Sequence, residues 1–163
     1  ERYLAATVRL PWRAARLRTA AREAAGDAEG DFGRALHIAR WVFRTLRKVS
    51  RRSLPTALDV LAAGEGDCTE HALLCAALLR AESIPARIVT GLVYAGDDTA
   101  SFGVHAWVEA WCGSWVSLDP SRAEGVVGAT HLRIGEGLRS SSLLPLTAAV
   151  RVRVLEVRRE RGE

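Results

Sequence analysis

The stretch from Gly64 to Arg87, GEGDCTEHALLCAALLRAESIPAR, constrains the fold more than any other part of the chain. Residues 72–79 within it carry no charge, and a helix that is apolar on every side belongs in a core. Asp67 stands where an N-cap is expected, and Glu70 follows three residues later, the spacing of a capping box. The sequence therefore predicts a buried helix whose first residue is Cys68, preceded by a glycine-rich loop.

Cys68 is a candidate nucleophile because of its place at this helix start. The first turn of a helix has unpaired backbone N–H groups and the positive end of the helix dipole, and both favour a thiolate. The same N–H groups could hold a developing oxyanion beside the sulfur. A lone cysteine at a helix start is more often inert, so the prediction requires a base and a group that orients the base.

A predicted hairpin supplies both groups. In FGVHAWVEAW, residues 102–111, apolar side chains alternate with a second face that carries His105. The short strand SWVSLDP follows after the loop CGS and ends at Asp119. A three-residue loop would set Trp111 against Trp115 and place Asp119 diagonal to His105, within reach of its imidazole. The spacing therefore permits a His–Asp pair.

These blocks resemble the core of the transglutaminase-like superfamily, in its bacterial type. GDCTEHALLCAALLRAESIPARIVTGLVY, HAW and SWVSLDPS follow one another in the family's order, and the similarity is dense from about Thr56 to Ser121. Members share a papain-like cysteine arrangement, so the resemblance implies that Cys68 is the nucleophile, His105 its base and Asp119 the residue that orients the histidine. Ser121 departs from the family, in which threonine is usual at that position.

The predicted fold class is α+β. Helices come first along the chain and sequential antiparallel strands follow, which is typical of that class. By the resemblance, the N-terminal helices, with the nucleophile at the start of a buried one, pack on an antiparallel sheet.

Length and composition are those of one globular domain. The chain has 163 residues and a net charge of +4, and Lys48 is its only lysine. No segment reaches the roughly 18 uninterrupted apolar residues of a membrane span. The sequence begins with Glu1 and contains no methionine, so we expect a fragment of a longer protein with at least one additional domain.

We divide the chain into three parts. Residues 1–30 are expected to form a lead-in with a short helix, residues 31–157 the transglutaminase-like catalytic core, and residues 158–163 a tail. Residues 120–146 are rich in Gly and Ser and are predicted to be irregular, whereas residues 147–157 alternate Val with Arg and predict a half-buried strand.

A second helix is predicted from about Asp31 to Lys48. Its apolar residues step by three or four, as one face of a helix does. This predicted buried face comprises Phe32, Leu36, Ala39, Phe43 and Leu46. Trp41 lies away from it; its indole could supply a second oxyanion donor, although ordinary packing is the simpler interpretation.

A zinc site and a nucleic-acid site are the two alternatives that the residues raise. Cys68, His71, His105 and Asp119 could be drawn as zinc ligands, but zinc sites usually repeat a paired spacing and here there is one pair. We expect His71 to be a hydrogen-bonded pocket or core residue, and give His37 and His131 structural roles.

The possible nucleic-acid site is a basic run near the end of the second helix. It comprises Arg44, Arg47, Lys48, Arg51 and Arg52. Positive charge at a helix C-terminus complements the dipole, and no aromatic residues interleave with the run to stack bases. The run therefore indicates a solvated face, with no nucleic-acid partner.

The function expected from these residues is thiol-dependent acyl transfer on a protein or peptide amide, with no cofactor or metal. Water as the acceptor would make the protein a cysteine peptidase or amidase, which is the preferred reading, and a lysine amine would make it a protein-glutamine transglutaminase. A non-catalytic binding domain that retains the fold is the third possibility. The resemblance favours the cell envelope or a secreted location.

Overall fold

The computed structural model describes residues 1–50, 55–96, 101–123 and 125–138. After a 3-10 turn at Arg2–Leu4, the helices are α1 (Ala15–Ala25), α2 (Gly30–Thr45), α3 (Ala57–Ala63) and α4 (Cys68–Ala81). The strands are β1 (Arg47–Lys48), β2 (Glu65–Gly66), β3 (Ala86–Tyr94), β4 (Phe102–Trp111), β5 (Trp115–Asp119), β6 (Gly125–Val126) and β7 (His131–Glu136).

Helix α4 is the central element, and it begins at Cys68 as the sequence predicts. Every residue from Glu70 to Arg80 is buried, because α1, α2 and α3 pack on the helix from one side and strands β3 and β4 from the other. A helix without a polar face is stable only in such surroundings. The first three helices therefore complete a core around α4, and α4 connects them to the sheet.

The sheet has five antiparallel strands in the order β6-β5-β4-β3-β7. Strands β1 and β2 form a separate parallel pair, and β2 directly precedes α4 in the chain. Helices packed against an antiparallel sheet confirm the predicted α+β class. The small apolar residues Ala106, Val108 and Ala110 of β4 lie in the hydrophobic core, whereas alternate residues such as His105 lie on the other face.

The β4–β5 hairpin has the predicted register. Trp111 pairs with Trp115, and the N–H of Cys112 donates to the carbonyl of Ser114 across the turn at 2.9 Å. Gly113 has a φ of 88°, a conformation that glycine adopts without strain. Continued by one pair beyond Val108 and Leu118, this register brings the end of β5 beside the His105 region of β4.

The apolar face predicted for α2 is buried only in part. The helix spans Gly30–Thr45 instead of Asp31–Lys48, and Phe32 and Phe43 are 46% and 37% exposed. The other three residues of the predicted face, Leu36, Ala39 and Leu46, are buried or pack against the core. Within the helix, the buried residues are Ala35, Ile38, Ala39 and Val42. The contacts with α1 and α4 therefore rotate the buried stripe away from the two phenylalanines.

The predicted irregular region also needs correction. Within residues 120–146, strands β6 and β7 form, and they occupy the two edges of the sheet. Both are short, and the exposed apolar side chains Leu132 and Ile134 of β7 are typical of an edge strand rather than a core one. The strand predicted at 147–157 lies outside the described residues.

In the described part of the chain, no helix combines the length and the apolar character that crossing a membrane requires.

Candidate active site

The start of α4 presents Cys68 with a free backbone donor. The Asp67 side chain accepts the N–H groups of Thr69 and Glu70, and the Glu70 carboxylate accepts the N–H of Asp67 at 2.9 Å, which completes the predicted capping box. This cap does not use the N–H of Cys68, and no described residue accepts it. It is one of the donors of the helix N-terminus, which favours negative charge.

The pKa values of the two capping carboxyl groups are shifted in opposite directions. Burial raises the pKa of Glu70, and its hydrogen bond with Asp67 raises it further. Burial also acts to raise the pKa of Asp67, but hydrogen bonds from Glu70 and Thr69 outweigh it and hold that pKa below its usual value. Asp67 is therefore the more acidic of the two, and its carboxylate lies at the positive end of the helix.

The hairpin brings His105 and Asp119 together. His105 Nε2 lies 2.8 Å from Asp119 Oδ2, and the two residues are 7% and 1% exposed. Because Asp119 occupies Nε2, the other ring nitrogen, Nδ1, remains for the thiol. His105 also interacts with Cys68, which lines the same cavity. The structure thus brings the three predicted residues together: His105 is 2.8 Å from Asp119, and it lines one cavity with Cys68.

The surroundings of His105 favour its protonated form. Burial opposes a charged imidazolium, but the hydrogen bonds to Asp119 and Cys68 and the negative charge of these groups outweigh burial and raise the pKa of His105 to about 9. A histidine that keeps its proton at neutral pH can balance a thiolate beside it. This is the electrostatic arrangement that an ion-paired thiol requires.

Asp119 is held by an unusually large set of donors. Oδ1 accepts the N–H of Ser121 at 2.9 Å and its hydroxyl at 2.8 Å, while Oδ2 faces His105 and His131. Burial would raise the pKa of Asp119, but these hydrogen bonds and the charge of His105 hold it far below the usual range. The carboxylate is therefore ionised and has a fixed orientation.

His131 is the site residue that the sequence analysis missed. Its Nε2 lies 3.1 Å from Asp119 Oδ2, and its side chain is 3% exposed. The structural role expected for it is thus corrected to a place within the site. The block around it, residues 129–135, resembles the family only weakly, and a histidine in a stretch predicted as irregular gives no signal of its own. Strand alternation in HLRIGE is the one feature that could have drawn attention to it.

A small cavity of about 130 Å³ opens beside the nucleophile. Its lining residues are Cys68, Thr69, Thr90, Val104, His105, Ala106 and Leu138. The volume is that of roughly four water molecules, so it admits a few substrate atoms and not a whole peptide. The hydroxyl of Thr90 is buried without a hydrogen-bond partner in the described structure, which leaves one polar group at the cavity wall.

The zinc ligands drawn from the sequence do not come together as a set. His71 is buried and its Nδ1 lies 2.6 Å from the carbonyl of Asp67, so it is the hydrogen-bonded core residue expected. In the described residues, the group with metal-ligand spacing is His105, Asp119 and His131, whose ligand atoms lie within 4.8 Å of one another. Their mutual hydrogen bonds account for this spacing without an ion.

The remaining candidates have structural explanations. Trp41 Nε1 lies 3.4 Å from Glu23 on α1, so its indole is not directed at Cys68. Arg47 of the basic run forms an ion pair with Glu65, and the part of that run at 51–52 lies outside the described residues. The three cysteines are free thiols. Burial raises the pKa of the Cys75 thiol, which lies in the hydrophobic core.

The family model of the transglutaminase-like superfamily core matches residues 18–120, which is more than half of the chain. The match contains all three predicted site residues. It also begins inside the segment 1–30, and the buried residues of α1 belong to the same core as those of α4.

Individual relatives agree with this match. An uncharacterized protein of Mycobacterium leprae, ML0607, is 30% identical over 96 residues, which cover 56% of this chain and 34% of that protein. A crystal structure of a candidate cysteine protease from Cytophaga hutchinsonii superposes with a TM-score of 0.71 at 28% identity, covering 91% of this chain and 48% of that one. The chain therefore spans about a third to a half of the length of these relatives.

A third relative shares the fold. The periplasmic domain of TgpA from Pseudomonas aeruginosa superposes with a TM-score of 0.54 at 23% identity, over 76% of this chain and 50% of that domain.

Proposed function

Because this chain belongs to the transglutaminase-like superfamily, we propose that it is a thiol acyl-transfer enzyme that attacks amide carbonyls with Cys68, His105 and Asp119. The observation that carries the proposal is the 2.8 Å contact between His105 Nε2 and Asp119 Oδ2. It fixes the imidazole with Nδ1 free for Cys68, and this is the orientation in which a histidine can take and return a proton.

Each residue then has one role in the reaction. Cys68 Sγ, having given its proton to His105, forms a bond to the amide carbonyl carbon, and the N–H of Cys68 stabilises the resulting oxyanion. His105 returns the proton to the leaving nitrogen as the C–N bond breaks, which leaves a thioester. The acyl acceptor, activated by His105, then attacks the thioester carbonyl and releases the Cys68 thiol. Asp119 keeps the imidazole oriented and balances its charge throughout.

We infer that water is this acceptor, which makes the protein a cysteine peptidase or amidase. The support is the similarity to the Cytophaga hutchinsonii protein, described as a candidate cysteine protease. Transfer to a lysine amine, as in a protein-glutamine transglutaminase, uses the same thioester and stays the alternative. The division at 1–30, 31–157 and 158–163, the further domain and the cell-envelope or secreted location also stay proposals.

The first test is the rate at which iodoacetamide alkylates each cysteine between pH 5 and 10, followed by peptide mass spectrometry. We expect Cys68 to react at least about tenfold faster than an ordinary thiol at pH 6, because a protonated His105 in the same cavity and the helix N-terminus both favour the reactive anionic sulfur. His105→Gln should remove this advantage.

The protein carries its own controls. Cys75 is fully buried, so its alkylation reports unfolding of a variant, and His37→Gln changes an exposed histidine on α2. If Cys68 reacts like an ordinary thiol in folded wild type, or ignores His105→Gln, the enzyme proposal is wrong and a binding domain that retains the fold replaces it. If Cys68 is activated, release of product from labelled peptides with and without primary amines separates hydrolysis from transamidation.

A further inference from the structure

Asp119 Oδ2 faces two histidines in this site, and one of them has no part in the mechanism above. His105 and His131 approach Oδ2 at 2.8 and 3.1 Å, while both donors of Ser121 occupy Oδ1. A carboxylate has about four acceptor positions, so these four donors fill it. The Nε atom of Arg122 forms an ion pair with Oδ2 at 3.5 Å, and the Arg122 side chain is 45% exposed.

His131 is built as a donor to Oδ2. The hydroxyl of Thr130 lies 3.0 Å from its Nδ1, so when that hydroxyl donates its proton, Nε2 is the nitrogen that carries the ring hydrogen. The edge of the ring packs against Trp107, with centroids 5.1 Å apart and planes at 79°. Because the ionised carboxylate of Asp119 can only accept, Nε2 must carry a hydrogen in this contact, and Thr130 and Trp107 hold the ring in that direction.

We propose that His131 is a positioning residue of the acyl-transfer site: it holds Asp119 Oδ2 toward His105 and keeps the Arg122 ion pair with that oxygen at 3.5 Å, longer than a hydrogen bond. The proposal rests on the proposed function, since it assigns His131 a task in the same reaction. His131 does not touch the thiol or the substrate; it acts through Asp119.

The consequence of losing this hydrogen bond follows from what remains near Oδ2. Arg122 already forms a long ion pair with Oδ2, and an arginine that closes from 3.5 Å to hydrogen-bond distance of a carboxylate forms a strong charge-assisted pair. Asp119 would then stabilise the His105 imidazolium less well. The titratable groups that face this pair are Cys68 and His71 from α4, Arg122 after β5 and His131 from β7.

The probe is the ratio of the rates at which iodoacetate and iodoacetamide alkylate Cys68. An imidazolium attracts the anionic reagent and not the neutral one, so in wild type the ratio should fall as His105 loses its proton near pH 9. This measurement needs no substrate. It reports the charge of His105, which a residue that merely supports the fold would leave unchanged.

Three variants of the whole chain test the proposal. His131→Phe keeps an aromatic ring without a donor. We expect the pH at which the ratio falls to be about one unit lower than in wild type, which is a tenfold change in the acidity of His105. His131→Gln offers an amide N–H near the Nε2 position, so the pH at which the ratio falls should be close to that of wild type. In His131→Phe/Arg122→Ala the competing cation is gone, so most of the shift should disappear.

The controls are His37→Gln, alkylation of Cys75, and EDTA at about 1 mM in every sample to remove any bound metal ion. The proposal is overturned if folded His131→Phe keeps the wild-type profile, or if Gln behaves like Phe. It is also overturned if EDTA alone shifts the wild-type profile, because the cluster would then hold a metal ion. Failure of the proposed function looks different: wild-type Cys68 itself would show no raised reactivity and no dependence of the ratio on His105.

Discussion

At the scale of single residues, the site depends on how completely one buried carboxylate is bound. Asp119 is 1% exposed and ionised, a state that would be costly without donors on both oxygens. Two of the donors belong to Ser121, whose side chain bonds Oδ1 at 2.8 Å. The position at which this chain departs from the usual threonine of the family therefore keeps the hydroxyl group, which is what the carboxylate needs.

Ser121→Ala removes one donor from this buried charge. We expect the free energy of unfolding to fall by about 1.5–3 kcal/mol, the range for a hydrogen bond to a charged group. Ser121→Thr keeps the hydroxyl and is the matched control, expected to lose less than about 1 kcal/mol. Urea denaturation of both variants at pH 7 makes the comparison, and equal losses in Ala and Thr would show that the hydroxyl does not matter.

At the scale of secondary-structure elements, the approach of β7 to β3 positions His131. The contact is close because Gly91 on β3 has no side chain: a Cβ there would lie 2.0 Å from the carbonyl oxygen of Leu132 and 2.8 Å from the Trp107 ring. The pairing of the two strands also shifts register between Thr90 and Gly91. Irregular pairing at a glycine is common where another backbone comes near.

Gly91→Ala should force these strands apart. We expect a loss of about 1–3 kcal/mol in the free energy of unfolding, the usual cost of overpacking, because a backbone carbonyl cannot move aside as a flexible side chain would. Gly103→Ala on β4 is the control: its Cβ would meet none of the described residues within 4 Å, so we expect a change within about 0.5 kcal/mol. Thermal unfolding of both variants would contradict this explanation if they lost stability equally.

At the scale of the whole molecule, the His105–Asp119 pair couples stability to pH. The pKa of Asp119 is lower in the folded state than the value near 3.9 of an unfolded chain, so its contribution is fully present above that value and is lost as pH falls below it. The pKa of His105 is raised to about 9, so its contribution is present below about 6.5 and is lost as pH rises toward 9. Both shifts describe one interaction and are not added together.

Asp119→Asn tests this coupling. At pH 7 we expect the variant to be less stable than wild type by about 3 kcal/mol, as when a buried ion pair loses one partner. Below pH 4 the difference should shrink, because the unfolded wild-type chain then binds a proton at Asp119 while the folded state keeps this carboxylate ionised, which lowers the stability of wild type and not that of the Asn variant. Urea unfolding at pH 7, 5, 4 and 3 follows the difference, and a constant gap across this range would contradict the assignment.

The sequence by itself determined the elements whose signals are local. The capped, fully apolar helix that starts at Cys68 follows from side chains within a few residues of one another, and the register of the hairpin follows from strand alternation and loop length. Both could be predicted, and with them the proximity of His105 and Asp119. A family resemblance carried by the same segments pointed to the same residues.

Tertiary structure alone decided what depends on contacts between distant segments. On α2, packing against the neighbouring helices buries Ile38 and Val42 and leaves the equally apolar Phe32 and Phe43 exposed. His131 lies on β7, which β3 and β4 separate from β5 in the strand order, yet its ring reaches Asp119. The physical reason is that a periodic pattern records which residues can share a face, whereas the identity of the partner depends on how whole elements pack.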